Sequence, residues 1–401
     1  MTNTSTDIPK WLTLRNALII LIVILFLVAW NRGIPLLYGM FALILAVLLV
    51  SYLAPMLALR GLSAICTHAE RAYEGDEIKL LMQLSNKTWF SRYMIELWNQ
   101  TPFTPSKIMG FVPCVNHTET LTMTVTCDWR GLHTLGPLTL KTGYPLGIST
   151  VQKTLANTTT SLLVYPTAFH IQYFHYLSSS HLPLSGSNTV TMSGGSDSFF
   201  GVREYRRGDN PRHIHWPSTA HKGQLIVKEY EFISTTEVTL LLDLHKNANY
   251  GEGKHSTLEY AVKIAASIAK HALTHKHHVR LLGYGKKTLH LPPANGEKHY
   301  KLILEALAQV YADGKITYAE TIQRALPSLR QGSVLVLFDN SSPTTAQSLL
   351  ASRHIKPVWI RFQTDSFLQS VSDQTPSHKT SNIPSYTICR GDDLAQVFAT
   401  Y

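Results

Sequence analysis

Glu237-Val238-Thr239-Leu240-Leu241-Leu242-Asp243-Leu244 is the stretch on which the fold turns. From Val238 to Leu244 it is almost wholly apolar and does not alternate, the pattern of a strand buried on both faces. Working outward from it, Thr257 to Thr274 repeats apolar residues at Leu258, Ala261, Val262, Ala265, Ile268, Ala269 and Leu273, the spacing of an amphipathic helix. There follow a strand in His278 to Gly285, helices over about 297–311 and 318–329, a strand in Ser333 to Asn340, a short helix over 346–352, and a strand in 356–362. Strands separated by helices predict a parallel sheet covered on both faces, an α/β domain occupying 237–401. Ligands of such sheets bind beyond the carboxyl ends of the strands, where Asp243 and Asp339 both fall.

Immediately upstream lies the most distinctive segment, Phe199 to Phe232, which packs charge and glycine turns closely together. Arg203, Glu204, Arg206, Arg207, Asp209 and Arg212 are placed to form ion pairs around a Gly208-Asp209-Asn210-Pro211 turn. Tyr205 and Trp216 supply apolar bulk, and Trp216 reads as a core residue. The competing description is a solvated charged face, since isolated surface pairs contribute little. The stretch 185–198, SGSNTVTMSGGSDS, has no apolar period and reads as a flexible loop; without a Lys-Ser/Thr ending it is not a phosphate-binding loop.

Residues 61–167 carry short runs that alternate at period two, of which Thr120-Leu121-Thr122-Met123-Thr124-Val125 is the clearest. Turns at Glu74-Gly75-Asp76, Ser85-Asn86, Arg130-Gly131 and Tyr144-Pro145 separate them, so an antiparallel β-sandwich-like domain is predicted. Residues 168–236 join this domain to the α/β one as linker, loop and charged segment. Before it, Ala17 to Trp30 and Ile34 to Leu59 are uncharged runs; with Trp11 to Asn16 added to the first, both have spanning length. A cleaved leader is a poor account of the first run because the second follows so closely. Residues 1–60 thus read as a tail and a two-pass transmembrane hairpin. Lys10, Arg15, Arg60 and Arg71 flank it against Arg32 alone in the turn, which places the N-terminus and the soluble domains in the cytoplasm, at an inner membrane.

The whole chain of 401 residues has 36 Lys plus Arg against 26 Asp plus Glu, a net +10. That excess suits an anionic membrane surface or an acidic partner. No basic helix or aromatic-lined strand motif accompanies it, so nucleic acid is not indicated. Cys66, Cys114, Cys127 and Cys389 have neither zinc-knuckle nor redox spacing.

The segment Arg203-Glu204-Tyr205, Gly208-Asp209, Arg212, Ile214, Trp216, Ala220, Glu229 and Glu231 resembles the signature of the bacterial and archaeal proteins called domain of unknown function 58. Arg130-Gly131, Leu135-Gly136-Pro137, Tyr144-Pro145-Leu146-Gly147 and Tyr165-Pro166 extend the resemblance through the β-domain. Two positions depart from it: His215 and His221 stand where relatives commonly have Asp and Arg. The resemblance implies a C-terminal von Willebrand factor A-like (Rossmann-like) domain, and a partnership with a MoxR-type AAA+ ATPase in assembling or remodelling another complex. It does not imply a defined chemistry.

Domains of the von Willebrand A type that hold a divalent cation present Asp-x-Ser-x-Ser after their first strand. Here the matching residues are Asp243-Leu244-His245-Lys246-Asn247, which keep the Asp and lose both serines. Asp243, Asn247 and Asp339 are therefore the candidate magnesium ligands, with Lys246 opposing the cation and hydroxyl oxygens missing. The histidines at 213, 215, 275, 277 and 278 lack a zinc motif or cysteine companions. No nucleophile elbow, cysteine–histidine pair or paired carboxylates announce an enzyme, and a membrane-bound hydrolase is a third, less supported class. The expectation is a membrane-anchored interaction protein, with a magnesium-dependent ligand binder as its rival.

Overall fold

The structure, a computed structural model, describes residues 14–99, 101–103, 108–174, 177, 199–207, 209–230, 236–339, 355–368 and 385–399. It forms two compact units, 1–167 with 307–309 and 168–306 with 310–401.

The first unit opens with two apolar helices, α1 (Leu14–Arg32) and α2 (Pro35–Ala58). Helix α2 is long and apolar enough to cross a membrane by length and composition, with mean hydropathy 2.4; the apolar stretch of α1 from Asn16 to Arg32 is shorter. The rest of the unit is sheet. Strands β1 (Leu62–Thr67), β3 (Glu77–Asn86) and β6 (Thr118–Thr126) form one sheet in the order β1-β3-β6; β4 (Arg92–Asn99), β5 (Ile108–Val115), β8 (Leu138–Thr142) and β9 (Val151–Leu155) form another, β5-β4-β8-β9. A third sheet, β2-β10-β7, joins β2 (Arg71–Tyr73), β10 (Thr160–Tyr165) and β7 (Gly131–Leu135). Every second residue of β3 is buried, as the period-two pattern requires. Cys66, Met82, Leu84, Ile95, Leu97, Val112 and Leu140 bring the first two sheets into one core, and Leu59, just beyond α2, is buried in it.

Three expectations for this unit need correction. The pairing is not wholly antiparallel: β10 runs parallel to β2, a pairing made possible by the long intervening chain. Ser85-Asn86 is the end of β3 and not a turn. Strand β5 was not anticipated; it contains Pro113, and it stands at a sheet edge, where a missing donor is tolerated.

In the second unit, β11 (Phe199–Glu204) and β12 (Ile226–Tyr230) make an antiparallel hairpin around α3 (Trp216–Lys222). The main sheet has the order β15-β14-β13-β16-β17-β18, from β13 (Glu237–Leu242), β14 (His278–Tyr284), β15 (Thr288–Ala294), β16 (Val334–Asp339), β17 (Lys356–Phe362) and β18 (Ser385–Ile388). Its helices are α4 (Thr257–Thr274), α5 (Glu297–Ala308), α6 (Tyr318–Ala325), α7 (Thr364–Leu368) and α8 (Leu394–Ala399). Val238 and Leu240 to Leu242 are fully buried in the central strand. Ser256 caps α4 by accepting from Glu259 N, with the Ser-x-x-Glu spacing of a capping box.

The sheet is mixed, not all parallel. Strand β15 pairs antiparallel with β14, because the intervening turn is too short for a crossover helix. Pro292 and Pro293 hid this strand in the sequence; it too is an edge. The start of the expected linker belongs to this unit: Phe169 N donates to Ser267 Oγ (2.9 Å), and Phe169 packs on Phe398. The expected loop at 185–198 and helix at 346–352 lie outside the described residues.

Candidate functional site

The charged segment is organised by one ion pair. Arg203 on β11 donates from Nη1 and Nη2 to the two carboxylate oxygens of Asp209, each at 2.7 Å. Arg206 N also donates to Asp209 Oδ2 (2.8 Å). Bidentate pairing of this kind fixes direction as well as distance. The Arg203 guanidinium holds the Asp209 carboxyl below the usual carboxylate range, with the backbone bond adding to it. Asn210 then accepts from Arg212 N (3.1 Å), opening the one-turn helix Pro211–His213. The chain returns to the hairpin through Tyr205 N to Leu225 O (2.8 Å) and His215 N to Ile226 O (2.7 Å).

The other signature residues are not gathered around that pair. The side chains of Glu204 and Arg212 are exposed, and Tyr205 is half-buried. Gly208 lies outside the described residues. Trp216, expected in a core, is 65% exposed at the start of α3. Its helix has only seven residues and offers no apolar face wide enough to bury an indole. His215 instead approaches Ser218, with Nδ1 and Oγ 2.7 Å apart.

The second candidate lies at the carboxyl ends of β13 and β16. The ladder between these strands runs from Val238 opposite Val334 to Leu241 opposite Leu337. Beyond it the Tyr318 hydroxyl inserts between them: it donates to Leu241 O and accepts from Phe338 N, both at 3.0 Å. Asp243 and Asp339 therefore stand at the same level on two neighbouring strands whose ladder has just been opened. Asp243 Oδ1 accepts from His245 N (2.9 Å). The loop behind it is clamped by Gly314, whose N donates to Leu244 O and whose O accepts from Lys246 N. A Cβ at position 314 would stand 2.5 Å from Tyr284 O, so only glycine permits this approach.

Asn247 sits exposed in the one-turn helix Lys246–Ala248. Two polar residues outside the Asp243–Asn247 motif, Asn249 and Thr257, instead line a cleft of about 10 Å³ with Asp243. Their oxygens are engaged locally: Asn249 Oδ1 accepts from Leu258 N and Thr257 Oγ1, and Thr257 Oγ1 accepts from Tyr250 N. Among the described residues no three His, Cys, Asp or Glu side chains come together. A hard cation held at Asp243 would complete its shell largely with water. No chemical signal in the sequence marks Asn249 or Thr257, because their place depends on how the loop folds back over α4.

These features define a protein with an apolar helix, a sheet-rich domain and a C-terminal α/β domain entered through a braced, charged hairpin. The model of the family described as "Protein of unknown function DUF58" matches residues 201–358, so over that stretch the chain is similar to the DUF58 proteins. It is similar to the uncharacterized protein YeaD of Bacillus subtilis (strain 168), with 27% identity over 213 residues, 52% of this chain and 50% of that protein. The match thus spans about half the length of the curated relative. Among solved structures it is similar to the CARDB domain of the PF1109 protein from Pyrococcus furiosus, with 9% identity over 26% of this chain and 91% of that one, at a TM-score of 0.19. A beta-glucosidase from Listeria innocua matches with 10% identity over 26% of this chain and 16% of that one, at a TM-score of 0.17. Likenesses at these scores carry no argument.

Proposed function

We propose that this chain is a membrane-tethered interaction protein whose α/β unit is a von Willebrand A-like binding module serving a MoxR-type AAA+ ATPase. The observation that carries the reading is the strand order of the α/β unit. Numbered within the six-stranded sheet, its strands run 3-2-1-4-5-6 with the third antiparallel, and the connections change direction between β13 and β16. A switch point of this kind is where open α/β sheets receive ligands, and among the described residues it presents the loop that follows β13, from Asp243 to Ser256. Helices α1 and α2 form the tether, crossing twice and leaving the N-terminus and both soluble units in the cytoplasm at an inner membrane. The Arg203–Asp209 pair acts as a brace that presents the segment from Arg206 to Leu225. Affinity capture of the full-length chain from its native membrane, with and without ATP and read by mass spectrometry, tests the partnership. Nucleotide-dependent recovery of an AAA+ ATPase is the expected result; recovery of none in either condition overturns it.

The level placement of Asp243 and Asp339 favours a second reading, a magnesium-dependent ligand binder in which Asn247 or its neighbours complete the site. Calorimetric titration with magnesium separates the two. Absence of both heat and a melting shift at millimolar magnesium removes this second reading.

A further inference from the structure

The end of α2 and the loop between β3 and β4 are built against each other. Lys87 N donates to Gly61 O (3.0 Å), and Arg92 Nη2 donates to Arg60 O (3.3 Å). Gly61 has φ +75°, and Thr88 Cγ2 lies 2.5 Å from where a Cβ would stand, so a side chain at 61 is excluded twice over. Lys153 Nζ donates to Leu59 O and Leu62 O. From beneath, the buried Asn86 donates to Phe90 O (2.7 Å), Val115 O (3.3 Å) and Asn116 O (3.3 Å), while its Oδ1 accepts from Thr88 N and Thr88 Oγ1. The loop is therefore held by its own backbone, and its two large side chains are left outside.

Those side chains are Trp89, 86% exposed, and Phe90, 60% exposed, with ring centroids 4.6 Å apart. Adjacent exposed aromatic rings on a braced loop mark a surface that something apolar covers. What lies beside them is the apolar helix end, and Arg60, Lys87, Arg92 and Lys153, whose backbone or side-chain atoms make the contacts just described, are all basic. Indole and phenyl rings at the headgroup level with cations around them match the boundary of an anionic bilayer.

We propose that the Trp89–Phe90 loop is an interfacial anchor, inserting both rings at the headgroup–acyl boundary of the leaflet in which α2 ends while Arg60, Lys87, Arg92 and Lys153 engage anionic phospholipid headgroups. This rests on the membrane reading of α2. Its consequence is that the sheet-rich unit is held at a defined height on the bilayer and does not swing on a flexible stalk.

The test uses full-length protein in phosphatidylcholine–phosphatidylglycerol vesicles whose phosphatidylcholine is brominated either near the headgroup end or near the terminus of its acyl chains. Subtracting the emission of Trp89→Phe from that of the wild type isolates Trp89. Subtracting that of Trp30→Phe isolates a residue of α1 and reports on the hairpin alone. The expected result is a blue-shifted Trp89 emission quenched more by shallow than by deep bromines, and less so when phosphatidylglycerol is omitted or Arg60→Gln and Lys87→Gln are combined. If Trp30 is quenched but the Trp89 emission is red-shifted and open to aqueous acrylamide, the anchor is overturned while the membrane reading stands. A Trp89 emission protected from both bromine and acrylamide overturns it in favour of a protein cover. If neither tryptophan is quenched, the membrane reading itself falls. Unchanged melting of Trp89→Phe guards against a folding artefact.

Discussion

At Asp209 both carboxylate oxygens are occupied, by Arg203 and by the Arg206 amide. Replacing Asp209 with Asn breaks the bidentate pair. We expect a loss of about 1–2 kcal/mol, in the lower part of the range for charge-assisted bonds because the Arg203 side chain is 32% exposed. The sign with pH follows from the lowered carboxyl: its stabilisation is full above the ordinary carboxylate value near ~4 and is lost as pH falls through the folded value. The melting gap between wild type and Asp209→Asn should therefore be widest near neutrality and close as pH falls through the lowered value of the folded carboxyl, which thermal melts from neutral into acid check. Trp216→Ala should leave melting within about 0.5 kcal/mol, as expected for an exposed side chain, so partner capture lost at constant melting would mark a contact surface. Burial, with Asp76 and Asp128 adding to it, pushes the Cys127 thiol up to about 11. In the native protein a maleimide near neutral pH should label the part-exposed Cys114 and spare Cys127 and the buried Cys66, read by mass spectrometry of the labelled peptides.

Strands and helices were legible where their burial is repetitive. Helix α4 shows its apolar face and its Ser256 cap in the residues themselves, and β3 and β6 show alternation. Of the strands that escaped, β5, β9, β15 and β18 are edges of larger sheets, β5 and β15 contain proline, and β11 and β12 form a two-stranded hairpin. An edge strand buries less and tolerates a missing donor, so it leaves a weak local pattern. Between β13 and β16 the decisive residue comes from a third element: the Tyr318 hydroxyl on α6 replaces a ladder bond and opens the strand ends toward Asp243 and Asp339. Tyr318→Phe should cost about 1–3 kcal/mol by orphaning Leu241 O and Phe338 N. Comparing its denaturation midpoint with wild type checks this, and an unchanged midpoint would mean the strands close on each other without the hydroxyl.

Across the molecule, the apolar helix and the sheet-rich domain are not separable at the residue where hydropathy ends. Leu59, one residue past α2, is 3% exposed within the core shared by β1, β3, β4 and β8. A soluble fragment starting at residue 62 lacks this side chain; one starting at residue 58 keeps it. The shorter fragment should be less stable by roughly 2–3 kcal/mol, as for deleting a buried leucine, and equal melting of the two would show that the core closes without it.

The amino-acid order alone determined the features that repeat locally: the apolar N-terminal runs, the period-two strands, the buried strand at Val238, the helix after Thr257 and the family signature from Arg203 to Trp216. Each is written in residues within a few turns or a few pleats of one another. Only the tertiary structure decided what depends on distant partners. That includes the parallel β2–β10 pair, the antiparallel β15, the exposure of Trp216, the Tyr318 wedge beside the strand-end aspartates and the setting of Trp89 beside the end of α2. Such contacts join segments tens of residues apart, and no periodicity in the chain encodes which of the many sterically possible pairings buries the most apolar surface while satisfying the backbone.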